Sequence, residues 1–122
     1  MATRGIRGAT TVERNDRDDI LAATTELLNV IVQLNGLRAE DIAYVWFTVT
    51  PDLDAEFPAF AARELGWTDV PLMCGREIPV PGALGGCVRT LISWNTSKSQ
   101  AEVRHVFLHR AKELRPKWAV DV

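Results

Sequence analysis

The sequence of 122 residues is poor in the residue types that many protein functions need. It has two cysteines, Cys74 and Cys87, with no CxxC pair and no histidine at ligand spacing, which argues against a zinc site or a disulfide framework. We expect both to be buried free thiols. The motifs GxGxxG, GxxxxGK[ST], HExxH and GxSxG are absent, so dehydrogenase, kinase and hydrolase functions lack their usual sequence support.

Long apolar runs and basic charge are also missing. The apolar stretch around residues 42–49 is interrupted by threonine and is far shorter than the roughly 20 residues that cross a bilayer. The formal net charge of −2 lacks the basic excess of proteins that bind nucleic acids or anionic membranes. The arginine-rich start has no apolar core, so we read it as mature protein and expect a cytoplasmic location with no membrane or nucleic-acid partner.

Length and composition predict one globular domain over residues 1–122, in which the tail after about residue 115 can be flexible. Four Trp and four Phe are many for a domain of this size, so we expect part of the apolar surface to meet another subunit. Eleven arginines stand against only three lysines. Arginine suits bidentate binding of carboxylate and phosphate, but the ratio alone can also reflect genome composition or heat tolerance.

Apolar periodicity and turn residues predict an α+β domain with a five-stranded sheet and helices on one face. Strands are predicted at 3–12, 43–50, 70–80, 87–96 and 103–111. Helices are predicted from Asn15 or Asp16 to Asn35-Gly36 and from Pro58 to Gly66, with a short helical turn at 97–102. The second strand is apolar on both faces, which favours a central, helix-covered position.

Arg89 is the most conspicuous polar residue, because it lies inside the apolar strand CVRTLISW. An uncompensated buried charge costs several kcal/mol, so the guanidinium needs a partner. That partner is either an internal carboxylate, which makes a structural ion pair, or the carboxylate or oxyanion of a ligand. The pattern leaves both interpretations open.

Other polar and aromatic residues also allow two interpretations. Arg7 is either an exposed edge residue or a site residue, and Glu77, at the end of a predicted strand, is either a loop charge or a site residue. Phe57 before a proline is typical of core packing at a helix start. His105 and His109 lie in a predicted strand, where residues i and i+4 are about 13 Å apart. They cannot share a metal there, and we interpret them as satisfied surface or interface histidines.

Six blocks of sequence carry a specific resemblance. They are RGIRGATTVER at 4–14, TPDLDAEFPAFAARELGW at 50–67, VPLMCGREIPVPGAL at 70–84, CVRTLISWNT at 87–96, VRHVFLHRA at 103–111 and LRP at 114–116. Together they closely resemble the monofunctional chorismate mutases of the trimeric pseudo-α/β-barrel type. The resemblance covers nearly the whole chain. It implies a homotrimer with active sites at the subunit interfaces, and no metal or cofactor.

The implied reaction is the intramolecular Claisen rearrangement of chorismate to prephenate, which leads to phenylalanine and tyrosine. The resemblance implies three catalytic residues. Arg89 donates to the breaking ether oxygen and to a substrate carboxylate, Arg7 clamps a carboxylate, and Glu77 accepts the ring hydroxyl. Because no proton has to move, we expect the rate to be nearly flat between about pH 6 and 9.

Further substrate-binding residues follow from the same resemblance. Phe57 and Arg63 match residues that the neighbouring subunit contributes, the first as an apolar wall and the second as a charge near the entrance. Met73 and Cys74 also line the site, with Cys74 beside Glu77. The resemblance further implies that Leu114 and Arg115 belong to a C-terminal segment that folds over the entrance.

Two positions depart from the family pattern. Phe107 stands where the family commonly has a tyrosine, and Phe60 where it often has a lysine. We therefore expect weaker substrate binding with largely intact chemistry. A non-catalytic trimeric metabolite-binding protein, or one resembling imine deaminases, is the alternative, and the joint presence of Arg7, Glu77 and Arg89 favours catalysis.

Overall fold

A computed structural model describes residues 1–122. Five strands form one mixed sheet: β1 (Ala2–Thr11), β2 (Ile42–Val49), β3 (Leu72–Arg76), β4 (Cys87–Thr96) and β5 (Val106–Phe107). The helices are α1 (Arg17–Asn35) and α2 (Ala59–Glu64), with short 3-10 turns at Ala39–Asp41, Gln100–Glu102, His109–Glu113 and Pro116–Trp118. The strand order is β3-β2-β4-β1-β5, with β4 antiparallel to both neighbours and the two outer pairs parallel. The predicted fold class is confirmed.

Helix α1 begins and ends where its local sequence predicts. Asp16 is the N-cap, since its side chain accepts from the Asp19 amide at 3.1 Å. Gly36 ends the helix with φ 67°, and its amide donates to the Val32 carbonyl at 2.9 Å. Asn15, the other candidate cap, instead accepts hydrogen bonds from two amides of the loop before α2.

The main core lies between the two helices and one face of the sheet. Its 17 buried residues include Leu27 and Ile31 of α1 and Phe47 of β2. Gly8 of β1 lets α1 approach closely, because an added Cβ would lie 2.8 Å from Ile31 Cδ1. Each large apolar side chain buried here contributes roughly 1.5–3 kcal/mol. Neither α1 nor α2 combines the length with the apolar character that a membrane-spanning helix requires.

Strand β2 is a central, helix-covered strand, as predicted, but its second apolar face is left uncovered. It pairs with β3 on one side and β4 on the other. On the face away from the helices, Tyr44, Trp46 and Leu91 remain 40–44% exposed. Both helices pack on the same side of the sheet and contact each other, so neither reaches the second face.

Strand β3 is shorter than predicted and covers only five of the residues from 70 to 80. Val70 is buried in the core before the strand begins. The Glu77 amide still donates to the Val49 carbonyl. The chain then runs into Pro79 and Pro81, which have no amide hydrogen to donate.

The fifth strand is also shorter, at two residues instead of nine. Before it, the Asn35 side chain bonds both the amide and the carbonyl of Arg104, at 2.9 Å each, and so replaces a strand partner. After it, His109 has φ 52° and starts a 3-10 turn. The strand spacing assumed for His105 and His109 is therefore wrong.

Candidate active site

A polar pocket of about 300 Å³ opens on the sheet face that the helices leave uncovered. Arg7 comes from β1, Thr48 from β2 and Arg89 from β4, while Glu77 follows β3 directly. Register brings them together, since Arg89 pairs with Ala9 on one side and Thr48 on the other. The remaining lining residues are Trp46, Thr90 and Leu91. The three predicted catalytic residues therefore meet in one pocket.

Arg89 has an unsatisfied donor in this pocket. Its Nε atom is buried and has no hydrogen-bond partner. Glu77 Oε2 lies 3.8 Å away, which is close enough for attraction between the charges but too far for a hydrogen bond. The Thr48 hydroxyl donates to the same carboxylate oxygen. Glu77 is thus held by Thr48, and the Arg89 Nε donor is left without a hydrogen-bond partner within the chain.

Arg7 adds a second cation to the pocket. The pKa of Arg7 is lowered, mainly by burial and by the charge of Arg89, and also by the charge of Arg115. The charge of Glu77 offsets part of this effect. An arginine stays protonated near neutral pH even so. Two guanidinium groups against one carboxylate leave the pocket net positive within a protein of net charge −2, which suits a small dianion.

The C-terminal segment lies next to Arg7. Leu114 packs against a small core cluster that contains Phe107, which is fully buried. The Arg7 guanidinium lies 5.7 Å from the centre of the Phe107 ring. Arg115 is exposed, and its guanidinium lies 3.8 Å from the centre of the Trp118 ring. Phe107 and Arg115 therefore lie near Arg7, but neither they nor Leu114 line the polar pocket itself.

The other predicted binding residues form a separate, mostly apolar pocket of about 460 Å³ between α2 and the edge strand β3. Phe57 is 68% exposed and Met73 57% exposed, so the interpretation of Phe57 as a core residue is wrong. Arg63 and Cys74 line the same pocket. The remaining lining residues are Glu56, Ala59, Phe60 and Leu72.

Cys74 differs from expectation in two respects. It is only partly buried, because β3 is an edge strand, whereas Cys87 is buried as predicted and both thiols are free. Cys74 also does not lie beside Glu77 within one chain, since it faces the apolar pocket while Glu77 lines the polar one. Burial raises the pKa of Cys74, so its thiol stays protonated at neutral pH.

Sequence reasoning missed several residues of the polar pocket, notably Thr48 and Trp46. The strand AYVWFTVT alternates, and its exposed-face residues are Tyr44, Trp46 and Thr48. A polar residue that ends an aromatic row is the signal that could have singled out Thr48.

Both histidines are satisfied, as predicted. His105 Nδ1 accepts from the Arg7 amide at 2.9 Å, and His109 Nε2 lies 2.7 Å from Glu26 Oε1. No group of three or more His, Cys, Asp or Glu side chains is arranged to hold a metal ion.

Comparison with known proteins identifies the family to which the chain belongs. Residues 3–118 match the family described as chorismate mutase type I. The chain belongs to this family. It is 51% identical over 114 residues to chorismate mutase AroH of Thermus thermophilus, with 93% of each chain covered. It is 45% identical over 117 residues to chorismate mutase AroH of Bacillus subtilis strain 168, covering 95% of this chain and 92% of the relative.

A solved chorismate mutase from Clostridium thermocellum has the same fold. The TM-score is 0.88 at 50% identity, over 89% of this chain and 97% of that one. The protein is therefore an isomerase that converts chorismate to prephenate, in aromatic amino-acid biosynthesis. The alternative of a non-catalytic or deaminase-like protein is not favoured.

Proposed function

We propose that the rearrangement takes place in the polar pocket and that Arg89 is the catalytic residue facing the breaking ether oxygen. The unpartnered Nε donor of Arg89 is the observation that supports this assignment. In the rearrangement the C–O bond breaks ahead of C–C bond formation, so negative charge accumulates on the ether oxygen. A fixed cation at that position binds the transition state more tightly than it binds the substrate.

Arg7 and Glu77 hold the two ends of the substrate. Arg7 binds a substrate carboxylate, because its guanidinium is the second cation of the pocket. Glu77 Oε2 accepts from Thr48 and faces Arg89, whereas Oε1 has no hydrogen bond within the protein. We assign Oε1 as the acceptor of the ring hydroxyl. The pocket thereby favours the compact conformer in which the reacting carbons meet.

The complete site needs two copies of the chain. One chain carries the polar pocket and the apolar pocket at different places, and the aromatic face around Tyr44 and Trp46 is uncovered. In a homotrimer, Phe57 and Arg63 of one copy, with Met73 and Cys74, cover the polar pocket of the next. The C-terminal residues Leu114 and Arg115 bound the entrance from the Arg7 side.

The cytoplasmic location stays a prediction.

Complementation between two inactive variants tests this arrangement. Arg89→Ala removes the polar pocket's donor, and Phe57→Asp places a charge in the apolar pocket. In trimers assembled from equal amounts of both, about a quarter of the interfaces combine two native pockets. We therefore expect chorismate consumption, followed by ultraviolet absorbance, to reach about a quarter of the native rate after co-refolding.

The separately refolded variants, mixed only after folding, serve as the control and should stay inactive. If co-refolded trimers that contain both variants remain inactive, both pockets must come from the same chain, and the shared site is wrong. If neither variant alone loses activity, the assignment of the two pockets is wrong.

A further inference from the structure

Along the edge of β1 that faces β5, side chains provide hydrogen bonds that a neighbouring strand would otherwise make. Strand β5 pairs only with Gly8 and Ala9 of β1. Ahead of these residues, Gln100 Oε1 accepts from the Gly5 amide at 3.0 Å, and Gln100 Nε2 donates to the Gly5 carbonyl at 2.7 Å. The Arg7 amide donates to His105 Nδ1 at 2.9 Å. The backbone of Arg7 is therefore held on this edge by a ring nitrogen instead of a strand carbonyl.

The His105 ring is held in turn by the C-terminal segment. Its centre lies 4.0 Å from the centre of the Trp118 ring. Trp118 also lies 5.8 Å from the Phe107 ring and 3.8 Å from the Arg115 guanidinium. These contacts fix the plane and position of the imidazole, and so fix where Nδ1 meets the Arg7 amide.

We propose that His105 is a positioning residue for Arg7, with its neutral imidazole anchoring the backbone from which the Arg7 guanidinium reaches the substrate carboxylate. This inference rests on the proposed role of Arg7. A shift of the β1 backbone at Arg7 moves the guanidinium relative to Arg89 and Glu77 in the same pocket. Such a shift weakens carboxylate binding, so it raises KM more than it lowers kcat.

The anchor requires an unprotonated Nδ1, because a donor cannot face the Arg7 amide. The charged groups that face the ring are Arg7 on β1 and Arg115 in the C-terminal segment. Burial lowers the pKa of His105 most, and these two cations lower it further. The pKa is therefore below the ordinary value of about 6.5, and the ring is neutral at pH 7. The anchor is present above this pKa and is lost as the pH falls through it.

Two substitutions separate the acceptor from the ring. His105→Asn keeps an acceptor oxygen near the place of Nδ1 but does not titrate, whereas His105→Phe keeps an aromatic ring against Trp118 and removes the acceptor. Losing one such hydrogen bond corresponds to a roughly two- to tenfold effect. We expect His105→Phe to raise KM by this factor at pH 7.5, and the difference from the native protein to shrink as the pH falls through the His105 pKa. We expect His105→Asn to stay near the native KM at pH 7.5.

The pH profile distinguishes positioning from a merely structural role. From pH 7.5 to 5, we expect the native KM to rise relative to that of His105→Asn, with a midpoint equal to the His105 pKa measured by proton NMR. Changes in KM that arise from the titration of other groups affect both proteins equally. They therefore cancel in the ratio of the native KM to the His105→Asn KM. His109→Asn and Gln100→Ala are the controls: the first removes the other histidine, the second the hydrogen bonds to Gly5. Both should keep the native profile.

If the native protein and His105→Asn have the same KM profile, the proposal is overturned, even if His105→Phe fails to fold. A native KM for folded His105→Phe at every pH also overturns it. Arg7→Ala separates this failure from a failure of the proposed function. If Arg7→Ala keeps the native KM, the proposed role of Arg7 itself is wrong. If Arg7→Ala has a raised KM but the His105 variants keep the native KM, only the positioning role of His105 is wrong.

Discussion

Replacing Arg89 tests the proposed chemistry most directly. The Arg89 side chain is 27% exposed, and its buried Nε is the unpartnered donor in the pocket. Removing a donor that acts on the developing charge of a transition state costs about 10² to 10³ in kcat, or about 2.7–4 kcal/mol. Arg7 remains as a second cation for ground-state binding. We therefore expect Arg89→Ala to lose this factor in kcat, with a smaller change in KM.

A lysine at position 89 should recover only part of the loss. It supplies a positive charge but lacks the planar fork that can donate to the ether oxygen and a carboxylate together. Arg63→Ala should cost less kcat than Arg89→Ala, because Arg63 is an exposed residue at the apolar pocket. These rates are measured as the loss of chorismate absorbance over a range of substrate concentrations, which gives kcat and KM separately.

Arg110→Ala is a matched control, since Arg110 is exposed and pairs with Glu113 outside both pockets. It should keep native kinetics, and thermal unfolding of each variant should show that the fold is intact. A folded Arg89→Ala enzyme with native kcat and only a raised KM would refute the reasoning, because Arg89 would then bind substrate and transition state equally. Full recovery by Arg89→Lys would refute the need for the fork.

Two further predictions concern the substrate end of the pocket and the absence of proton transfer. Phe107→Tyr should lower KM while leaving kcat within about twofold, because the phenol adds one hydrogen bond to a substrate carboxylate near Arg7; an unchanged KM in steady-state assays would contradict this. The native kcat should be nearly flat between about pH 6 and 9, since no step needs a titrating acid or base. A bell-shaped kcat profile with two essential pKa values in that range would contradict the mechanism.

The positions of the arginines, and not their number, distinguish those of the site from those of the surface. Arg7 and Arg89 lie on neighbouring strands and enter one pocket, whereas Arg14 and Arg38 make exposed surface ion pairs. Exposed pairs of this kind contribute little to stability. A slightly negative protein thus carries a positive site, because the surface acids compensate the total charge without entering the pocket.

Several features could be predicted from the sequence because neighbouring residues decide them. Helix α1 begins at the Asp16 cap and ends at Gly36 because capping and the left-handed turn are local interactions. The family, and with it the activity, is also evident in the order of the sequence blocks. Arg89 stood out because a guanidinium inside an apolar strand needs a partner wherever the strand lies.

The tertiary structure decided the features that depend on residues far apart in the chain. Asn35 shortens the fifth strand from 69 residues away, and Thr48 orients Glu77 across 29 residues. Cys74 turned out to face the apolar pocket, because the edge position of β3 and the packing of α2 set its surroundings. The role inferred for His105 depends likewise on a bond to Arg7, 98 residues earlier. Such contacts leave no periodic signal, since only the folded sheet brings the partners together.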